Sequence, residues 1–339
     1  MHECISSLQV RTIIGMARKR NKPRTPLTVD KPHRFHYLNL QMLKNISIPA
    51  SFTLVKKGNV FLLLREDYRD LLLQQGIEEI ETYLAKHRQT TLYLRGRTIH
   101  PSIPLKDGVR MIFRHYSHGG LLRFITRDLY LFGSRSFQEL ALTEEIRSSG
   151  IGTVQPVGAI HRCFLTPFYR AYLMSLEVPG AKDMVHYLQD IGPQPSGETL
   201  MAKRKIIRSA GLVLRKFHQA GFFHADLQLK NLLVTDGKVL LIDLDRSYRR
   251  PSLSAQERVK NLLRLNRSAD KWKRYGLPVS LRDRWRFFHA YAERDQEIRE
   301  TLRRALCTYS IHSFFHRLRW SLEGVQGPKD QGSRGRGVQ

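Results

Sequence analysis

The chain has 339 residues, enough to bury a full core, and its length predicts one large domain or two modest ones. It carries 57 Lys and Arg residues against 30 Asp and Glu residues, a formal net charge of +27 that favours polyanionic partners. Its longest apolar runs, such as Val60 to Leu64, are far below the roughly 18 residues that a membrane-spanning helix needs. Three scattered cysteines argue against a disulfide framework.

The two ends of the chain lack the apolar periodicity of packed elements. Residues 1–30 are basic and punctuated by prolines, and residues 326–339 are rich in glycine, so both are expected to be disordered. The region 31–89 suggests no function from its sequence. Within it, Ser51 to Arg65 predicts two strands, and Asp67 to His87 predicts a helix.

Two further strands are predicted over Thr91–Arg95 and Val109–His115, joined by a loop rich in Gly, Pro and Ser. Gly96 in this loop could let the backbone approach a phosphate group closely, although an ordinary turn is an equally good interpretation. Arg114 lies in the second strand, and a guanidinium group can hold phosphate oxygens through two donors at once. These features make Gly96 and Arg114 candidate nucleotide-binding residues.

Helical spacing is present from Ser136 to Ser148, just before Gly150. Glu139 in this helix is the predicted ion-pair partner of Arg114. Glu144 and Glu145 are the competing choices, and any of the three could instead be a solvated surface charge.

Strands are predicted over Val154–Ile160 and Tyr172–Leu176, and Glu177 begins the loop that follows them. This loop could act as a hinge whose backbone groups bind adenine, although its sequence also fits an ordinary connection. Thr199 to Gln219 then predicts an amphipathic helix, and Gly221 lies just beyond its end, as a C-terminal cap should.

The stretch from Phe223 to Asp245 reads FHADLQLKNLLVTDGKVLLIDLD and is the most informative part of the chain. Asp226 follows a His, an Asn comes five residues later, and a second Asp ends an apolar strand. This is the order of a kinase catalytic loop and its metal-binding strand. Asp226 is therefore the predicted catalytic base, and Asn231 and Asp243 are the predicted Mg²⁺ ligands.

The same stretch predicts how these ligands come together. Two β-rich apolar runs flank Asp236-Gly237, a dipeptide typical of tight hairpins. Pairing the runs brings Asn231 close to Asp243, so that two oxygen ligands converge as Mg²⁺ requires. Lys230, beside Asn231, is a candidate for binding the nucleotide.

Basic residues beyond this stretch are candidates for binding an anionic substrate. The four selected for their position are Arg246, Arg264, Arg267 and Lys271. In a chain with this many cations, any one of them could equally be an ordinary surface residue. Aromatic residues are mixed with Arg between Arg282 and Trp320, which fits either the core of a domain or an interfacial helix pair on an anionic membrane.

Five segments give the chain a specific resemblance, namely RHYSHGGLLRFITRDLYLF, SFQELALTEEIRSSGI, HADLQLKNLL, LIDLDR and NLLRLNRSADKW. Together they resemble the lipopolysaccharide kinase family, which includes the 3-deoxy-D-manno-octulosonic acid (Kdo) kinases and the core heptose kinases. The resemblance covers about residues 90–275. The sequence departs from protein kinases where Leu244-Asp245 replaces the Phe-Gly of D-F-G, and where Arg114 occupies the place of the small-lobe Lys.

The resemblance implies an α+β, bilobal, protein-kinase-like fold with a small antiparallel-sheet N-lobe over residues 90–178 and a mostly helical C-lobe over 179–325. It also implies an ATP- and Mg²⁺-dependent kinase that phosphorylates a sugar hydroxyl of the lipopolysaccharide inner core, the 4-OH of Kdo in Kdo kinases. The expected location is cytoplasmic, on the inner face of a bacterial inner membrane. Alternatives are a core heptose kinase, an atypical protein kinase, a small-molecule phosphotransferase and, on charge alone, a non-catalytic nucleic-acid-binding protein.

Overall fold

The computed structural model describes residues 46–95, 99–116, 129–131, 133–165 and 168–307. The predicted disordered ends, 1–30 and 326–339, and the candidate Gly96 lie outside these residues.

One lobe is built on an antiparallel sheet of eight strands, in the order β1-β2-β7-β8-β5-β4-β3, with β6 pairing to β8. The strands are β1 (Phe52–Lys57), β2 (Val60–Arg65), β3 (Leu92–Arg95), β4 (Ile99–Lys106), β5 (Val109–His115), β6 (Tyr130–Leu131), β7 (Pro156–Leu165) and β8 (Phe168–Leu176). The helices of this lobe are α1 (Glu66–Gln74), α2 (Ile80–Lys86) and α3 (Arg135–Ser148).

The other lobe is mostly helical. Its helices are α4 (Met184–Ile191), α5 (Gly197–Gln219), α6 (Ala255–Arg274), α7 (Leu281–Ala292) and α8 (residues 296–307). Its short strands are β9 (Lys182–Asp183), β10 (Phe222–Phe223), β11 (Leu232–Thr235), β12 (Lys238–Leu241) and β13 (Tyr248–Arg249). They form two small sheets, β12-β11-β9 and β10-β13. The predicted α+β fold, with a sheet lobe and a helical lobe, is confirmed.

Strand β2 shows how the sheet lobe is held together, because all six of its residues are buried. Leu62 and Leu64 pack into a cluster with α1 and α2 on one face of the sheet. Phe61 and Leu63 pack with α3 on the other face. Successive side chains of a strand point to opposite faces, so a continuous apolar run is what a strand covered on both sides requires. This packing fixes the position of α3, which carries Glu139.

Helix α5 ends at a glycine that leads the chain towards the catalytic loop. Gly221 has a φ of +83°, and a Cβ atom there would overlap the carbonyl oxygen of Arg250. Its carbonyl accepts a hydrogen bond from the Arg250 N–H at 2.9 Å. Only glycine meets both conditions at low cost, which explains the cap predicted from the sequence.

Two predictions of secondary structure are wrong in detail. The loop predicted between Thr91–Arg95 and Val109–His115 contains strand β4, whose Pro104 pairs with Arg110 next to a register shift. Proline is tolerated in strands at such irregularities, so it does not mark a loop here. The single helix predicted from Asp67 to His87 is two helices, because the chain turns at Gly76, where φ is +78°.

Within the described residues, no helix combines the length and the apolar composition needed to cross a membrane. The longest helix, α5, is amphipathic, with Ile206, Ala210 and Leu214 buried on one side and Lys and Arg residues on the other.

Two buried histidines predict a loss of stability in mild acid. Burial lowers the pKa of both His161 and His218 to about 4, well below the value of an unfolded chain. Between roughly pH 6.5 and pH 4 these histidines are therefore protonated in the unfolded state but neutral in the folded state, so the free energy of unfolding falls as the pH falls. Over this interval each histidine lowers the free energy of unfolding by on the order of 3 kcal/mol.

His161 is the better position for a test, since its Nδ1 has no hydrogen-bond partner and its ring stacks on Tyr169 at 4.2 Å between centroids. We expect His161→Phe to lose less stability than the wild type between pH 7 and pH 5 in thermal unfolding. His289→Gln, at an exposed position, is the control. Equal pH slopes for wild type and His161→Phe would contradict the assignment.

Candidate active site

The catalytic loop runs from His224 to Asn231, and a buried, neutral histidine clamps it. The Nδ1 of His224 accepts the Asp226 N–H at 3.1 Å, so Nε2 carries the proton and donates to the Ile242 carbonyl at 3.0 Å. Burial lowers the pKa of His224, which keeps the ring uncharged. The ring therefore ties the loop to the end of β12.

Asn261 on α6 is a site residue that the sequence reasoning missed. Its Nδ2 donates to the His224 carbonyl at 2.7 Å, and its Oδ1 accepts the His224 N–H at 3.3 Å. The same oxygen lies 3.0 Å from Nε2 of His218. Asn261 is only 1% exposed, and a polar residue on the apolar face of a predicted helix was the signal that could have revealed it.

The loop places Asp226 and Asn231 side by side. Oδ2 of Asp226 accepts a hydrogen bond from Gln228 at 2.8 Å, and 54% of the Asp226 side chain is exposed. Nδ2 of Asn231 donates to the Asp226 carbonyl at 2.8 Å, which leaves its Oδ1 available for a ligand. The Asn231 carbonyl accepts the Ile242 N–H at 3.1 Å, so the next residue, Asp243, lies close to Asn231 as predicted.

Asp243 follows β12 with a φ of +59°, a left-handed conformation that is costly for a residue with a side chain. Its Oδ1 lies 2.7 Å from Nη1 of Arg114 on β5, and 44% of its side chain is exposed. The left-handed backbone therefore presents the Asp243 carboxylate to Arg114 of the sheet lobe.

Arg114 also forms an ion pair with Glu139 of α3, as the sequence predicted. The Tyr116 hydroxyl donates to the same Glu139 carboxylate, and it accepts a hydrogen bond from Arg114 Nη2 at 2.9 Å. Oε1 of Glu139 accepts the Leu244 N–H at 3.0 Å. Burial opposes a charged Arg114, but Glu139, Tyr116 and Asp243 together raise the pKa of Arg114 well above its ordinary value.

The competing glutamates of α3 have other partners. Glu144 is buried and paired with Arg65 and with Arg147, while the partly exposed Glu145 pairs with Arg249. Glu139 is thus the glutamate of this helix that faces Arg114.

A second pair across the lobes was not predicted. Arg135, the first residue of α3, forms an ion pair with Asp245, and its guanidinium lies 4.9 Å from the centre of the Tyr130 ring. Asp245 stands where protein kinases have a glycine, so α3 and the loop after β12 are joined at both Glu139 and Arg135.

Two candidates for binding the nucleotide have their side chains engaged elsewhere. The Glu177 carboxylate contacts Ser102 and lies 3.4 Å from Arg110, and the Glu177 N–H donates to the Arg110 carbonyl. Lys230 places its Nζ 5.0 Å from the centre of the Trp272 ring. The structure thus brings neither side chain into contact with the Arg114 cluster.

The four basic candidates separate into two groups. Arg264 reaches the catalytic loop, where it contacts the Ala225 carbonyl and lies 3.4 Å from Asp226. Arg246, Arg267 and Lys271 are exposed on the surface. The structure brings only Arg264 of these four into contact with the catalytic loop.

The comparisons with known proteins agree with this geometry. A sequence model described as the lipopolysaccharide kinase (Kdo/WaaP) family matches residues 94–291. A 3-deoxy-D-manno-octulosonic acid kinase of Vibrio cholerae is 35% identical over 164 residues, which cover 47% of this chain and 64% of that kinase. A kinase of the same description from Pasteurella multocida is 30% identical over 223 residues, covering 63% of this chain and 88% of that protein. The match thus spans just under two thirds of the Vibrio cholerae kinase.

One solved structure, described as WaaP in complex with acyl carrier protein, aligns with 74% of this chain and 97% of that chain. The alignment has a TM-score of 0.49 and a sequence identity of 18%.

The buried ion pair predicts an asymmetry between single and double substitutions. Arg114→Met leaves the Glu139 carboxylate buried without its cation, and we expect a loss of about 3–5 kcal/mol in the free energy of unfolding. Arg114→Met/Glu139→Gln removes both charges, keeps an oxygen that can accept the Leu244 N–H and should recover much of that loss. Denaturant unfolding measures both values. A double variant as unstable as the sum of its single variants would contradict the pairing.

Proposed function

Because the chain belongs to the lipopolysaccharide kinase (Kdo/WaaP) family, we propose that it transfers the γ-phosphoryl group of ATP to a sugar hydroxyl of the lipopolysaccharide inner core. The most specific form of the proposal is phosphorylation of the 4-OH of Kdo. The observation that carries it is the catalytic loop, in which Asp226 and Asn231 are held together, with Asp243 close by after the end of β12. Relatives named as Kdo kinases in several bacteria support the choice of acceptor.

In this mechanism the carboxylate of Asp226 accepts a hydrogen bond from the sugar hydroxyl that is to be phosphorylated. A bond forms between the sugar oxygen and the γ-phosphorus as the bond from that phosphorus to the β-phosphate oxygen breaks. The hydroxyl proton passes to Asp226, and ADP leaves. The exposed carboxylate of Asp226, braced by Gln228 at 2.8 Å, suits a base that must reach a bulky glycolipid.

The donors at the site fit a magnesium ion. Mg²⁺ prefers oxygen ligands and takes one or two carboxylates together with substrate phosphates. Asn231, just before β11, offers its Oδ1, and Asp243, just after β12, offers its carboxylate, and β11 and β12 are paired. When bound, the ion would neutralise charge on the ATP phosphates. Arg114, held in the cluster by Glu139, would present its guanidinium to the same phosphates.

The remaining nucleotide contacts belong to the same proposal. The loop that begins at Glu177 would offer backbone groups to adenine. Arg246, Arg267 and Lys271 would collect the phosphate and carboxylate groups of an anionic glycolipid, since they are exposed cations on the lobe that holds Asp226.

Asp226→Asn should abolish transfer, because the amide cannot accept the hydroxyl proton. We expect kcat to fall on the order of 10²–10⁴-fold while ATP binding is retained. The measurement is phosphate transfer from ATP to Kdo-lipid A in detergent, read by mass spectrometry, with Asp243→Ala as a second inactive variant. RNA, a basic protein and a heptose-containing core are offered as competing acceptors.

One phosphate added to the Kdo-containing lipid, and lost in both variants, would support the proposal. Phosphorylation of the heptose-containing core alone would make the protein a core heptose kinase. Full activity of Asp226→Asn would remove Asp226 from the role of base.

We also propose that the helical lobe binds the anionic cytoplasmic face of the inner membrane. Leu281 is 80% exposed and Trp285 is 61% exposed, one turn apart on α7. Exposed arginines accompany them, Arg282 on the same helix and Arg303 on α8. Large apolar side chains beside cations are the composition of a surface that enters anionic headgroups.

Leu281→Glu should weaken binding to vesicles that contain anionic lipid by about tenfold, because it removes an apolar contact and adds repulsion. Leu92→Glu, at a 55% exposed leucine of β3 in the other lobe, is the matched control. Co-sedimentation with anionic and with neutral vesicles measures the effect. Equal losses for both variants would show that net charge, and not this surface, drives the binding.

A further inference from the structure

One face of helix α6 lies along the catalytic loop and contacts it at three positions. Asn261 bonds to both backbone groups of His224, as described above. Ser268 accepts the Leu229 N–H on its Oγ at 3.1 Å. Arg264 lies between them in the sequence, at spacings of three and four residues, so all three share one helical face. The helix thus aligns Arg264 with the middle of the loop, where Asp226 is located.

Arg264 meets the loop at the predicted base. Its Nη1 donates to the Ala225 carbonyl and lies 3.4 Å from Oδ1 of Asp226, and 41% of its side chain remains exposed. A guanidinium has five N–H donors, and only those on Nη1 have an acceptor among the described residues. Its other donors are therefore available to a ligand at Asp226.

Three other cations near this centre are already engaged. Arg114 is held between Glu139 and Asp243, Arg135 is paired with Asp245, and Lys230 lies over the ring of Trp272. Phosphoryl transfer places negative charge on the three equatorial oxygens of the transferring group, and a cation aimed there lowers the barrier. Within the described residues, Arg264 contacts Asp226 and forms no ion pair with any other carboxylate.

We propose that Arg264 is a catalytic residue that binds the γ-phosphoryl group in the transition state, as an arginine finger supplied by the same chain. The inference rests on the proposed kinase function and gives Arg264 a task different from binding a glycolipid anion. The acceptor oxygen at Asp226 lies about 3–3.5 Å from the phosphorus before attack. A guanidinium in contact with Asp226 is therefore within reach of the equatorial oxygens throughout the transfer.

The test compares two cations of the same helix. Arg264→Gln and Lys260→Gln remove the same charge, but Lys260 is exposed and has no described contact with the loop. We expect Arg264→Gln to lower kcat on the order of 10³-fold with the KM for ATP changed only a few-fold. Lys260→Gln should retain kcat. Arg264→Lys keeps the charge without the planar fork and should fall between Arg264→Gln and the wild type.

A second measurement separates catalysis from support of the loop through Ala225. The affinity for ADP with Mg²⁺ is measured with and without aluminium fluoride, which imitates the transferring phosphoryl group. Arg264→Gln should bind ADP normally and lose most of the extra affinity that fluoride provides in the wild type. Thermal unfolding confirms that both glutamine variants are folded.

The outcomes distinguish the two proposals, because this measurement needs no sugar acceptor. A wild-type protein that gains no affinity from aluminium fluoride would contradict the kinase function itself. A wild-type gain that Arg264→Gln retains in full, even with a reduced kcat, would overturn the catalytic role of Arg264 and leave a positioning role.

Discussion

The site depends on one partly buried cluster of opposite charges that joins the two lobes. Arg114 comes from the sheet, Glu139 from a helix packed on that sheet, and Asp243 from the helical lobe. Removing charged groups from water costs desolvation free energy, which is offset only when each charge has its partners. Tyr116 and the Leu244 N–H complete the bonding of Glu139. The lobes are therefore oriented by electrostatic pairing at the place where a nucleotide would bind.

The helical lobe contributes a different kind of constraint, based on neutral hydrogen bonds. Asn261 forms hydrogen bonds with both the N–H and the carbonyl of His224. The imidazole of His224 in turn accepts the Asp226 N–H and donates to the Ile242 carbonyl. Because burial keeps this ring uncharged, the loop geometry does not vary with protonation near neutral pH. The charged cluster sets how the lobes meet, whereas this neutral network sets the shape of the loop between them. A catalytic carboxylate needs both to remain pointed at its substrate.

Features with a short-range cause were predictable from the sequence. The hairpin around Asp236-Gly237 and the cap at Gly221 follow from local backbone chemistry. Contacts between distant segments were less accessible. The pairing of Arg114 with Glu139 followed from a family pattern, but nothing local connects Arg135 to Asp245, 110 residues away. Strand β4 was missed because its prolines resemble those of a loop until the neighbouring strands supply the pairing.

The position of Arg114 has a consequence for how a metal ion and a nucleotide would bind together. Nη1 of Arg114 lies 2.7 Å from Oδ1 of Asp243, and a divalent cation would bind the same oxygen. Two positive groups that share one carboxylate are thermodynamically linked, so each weakens the hold of the other by the same factor. A polyphosphate that draws the guanidinium towards itself frees that oxygen. Metal and nucleotide should therefore enter with positive cooperativity, each binding more tightly in the presence of the other.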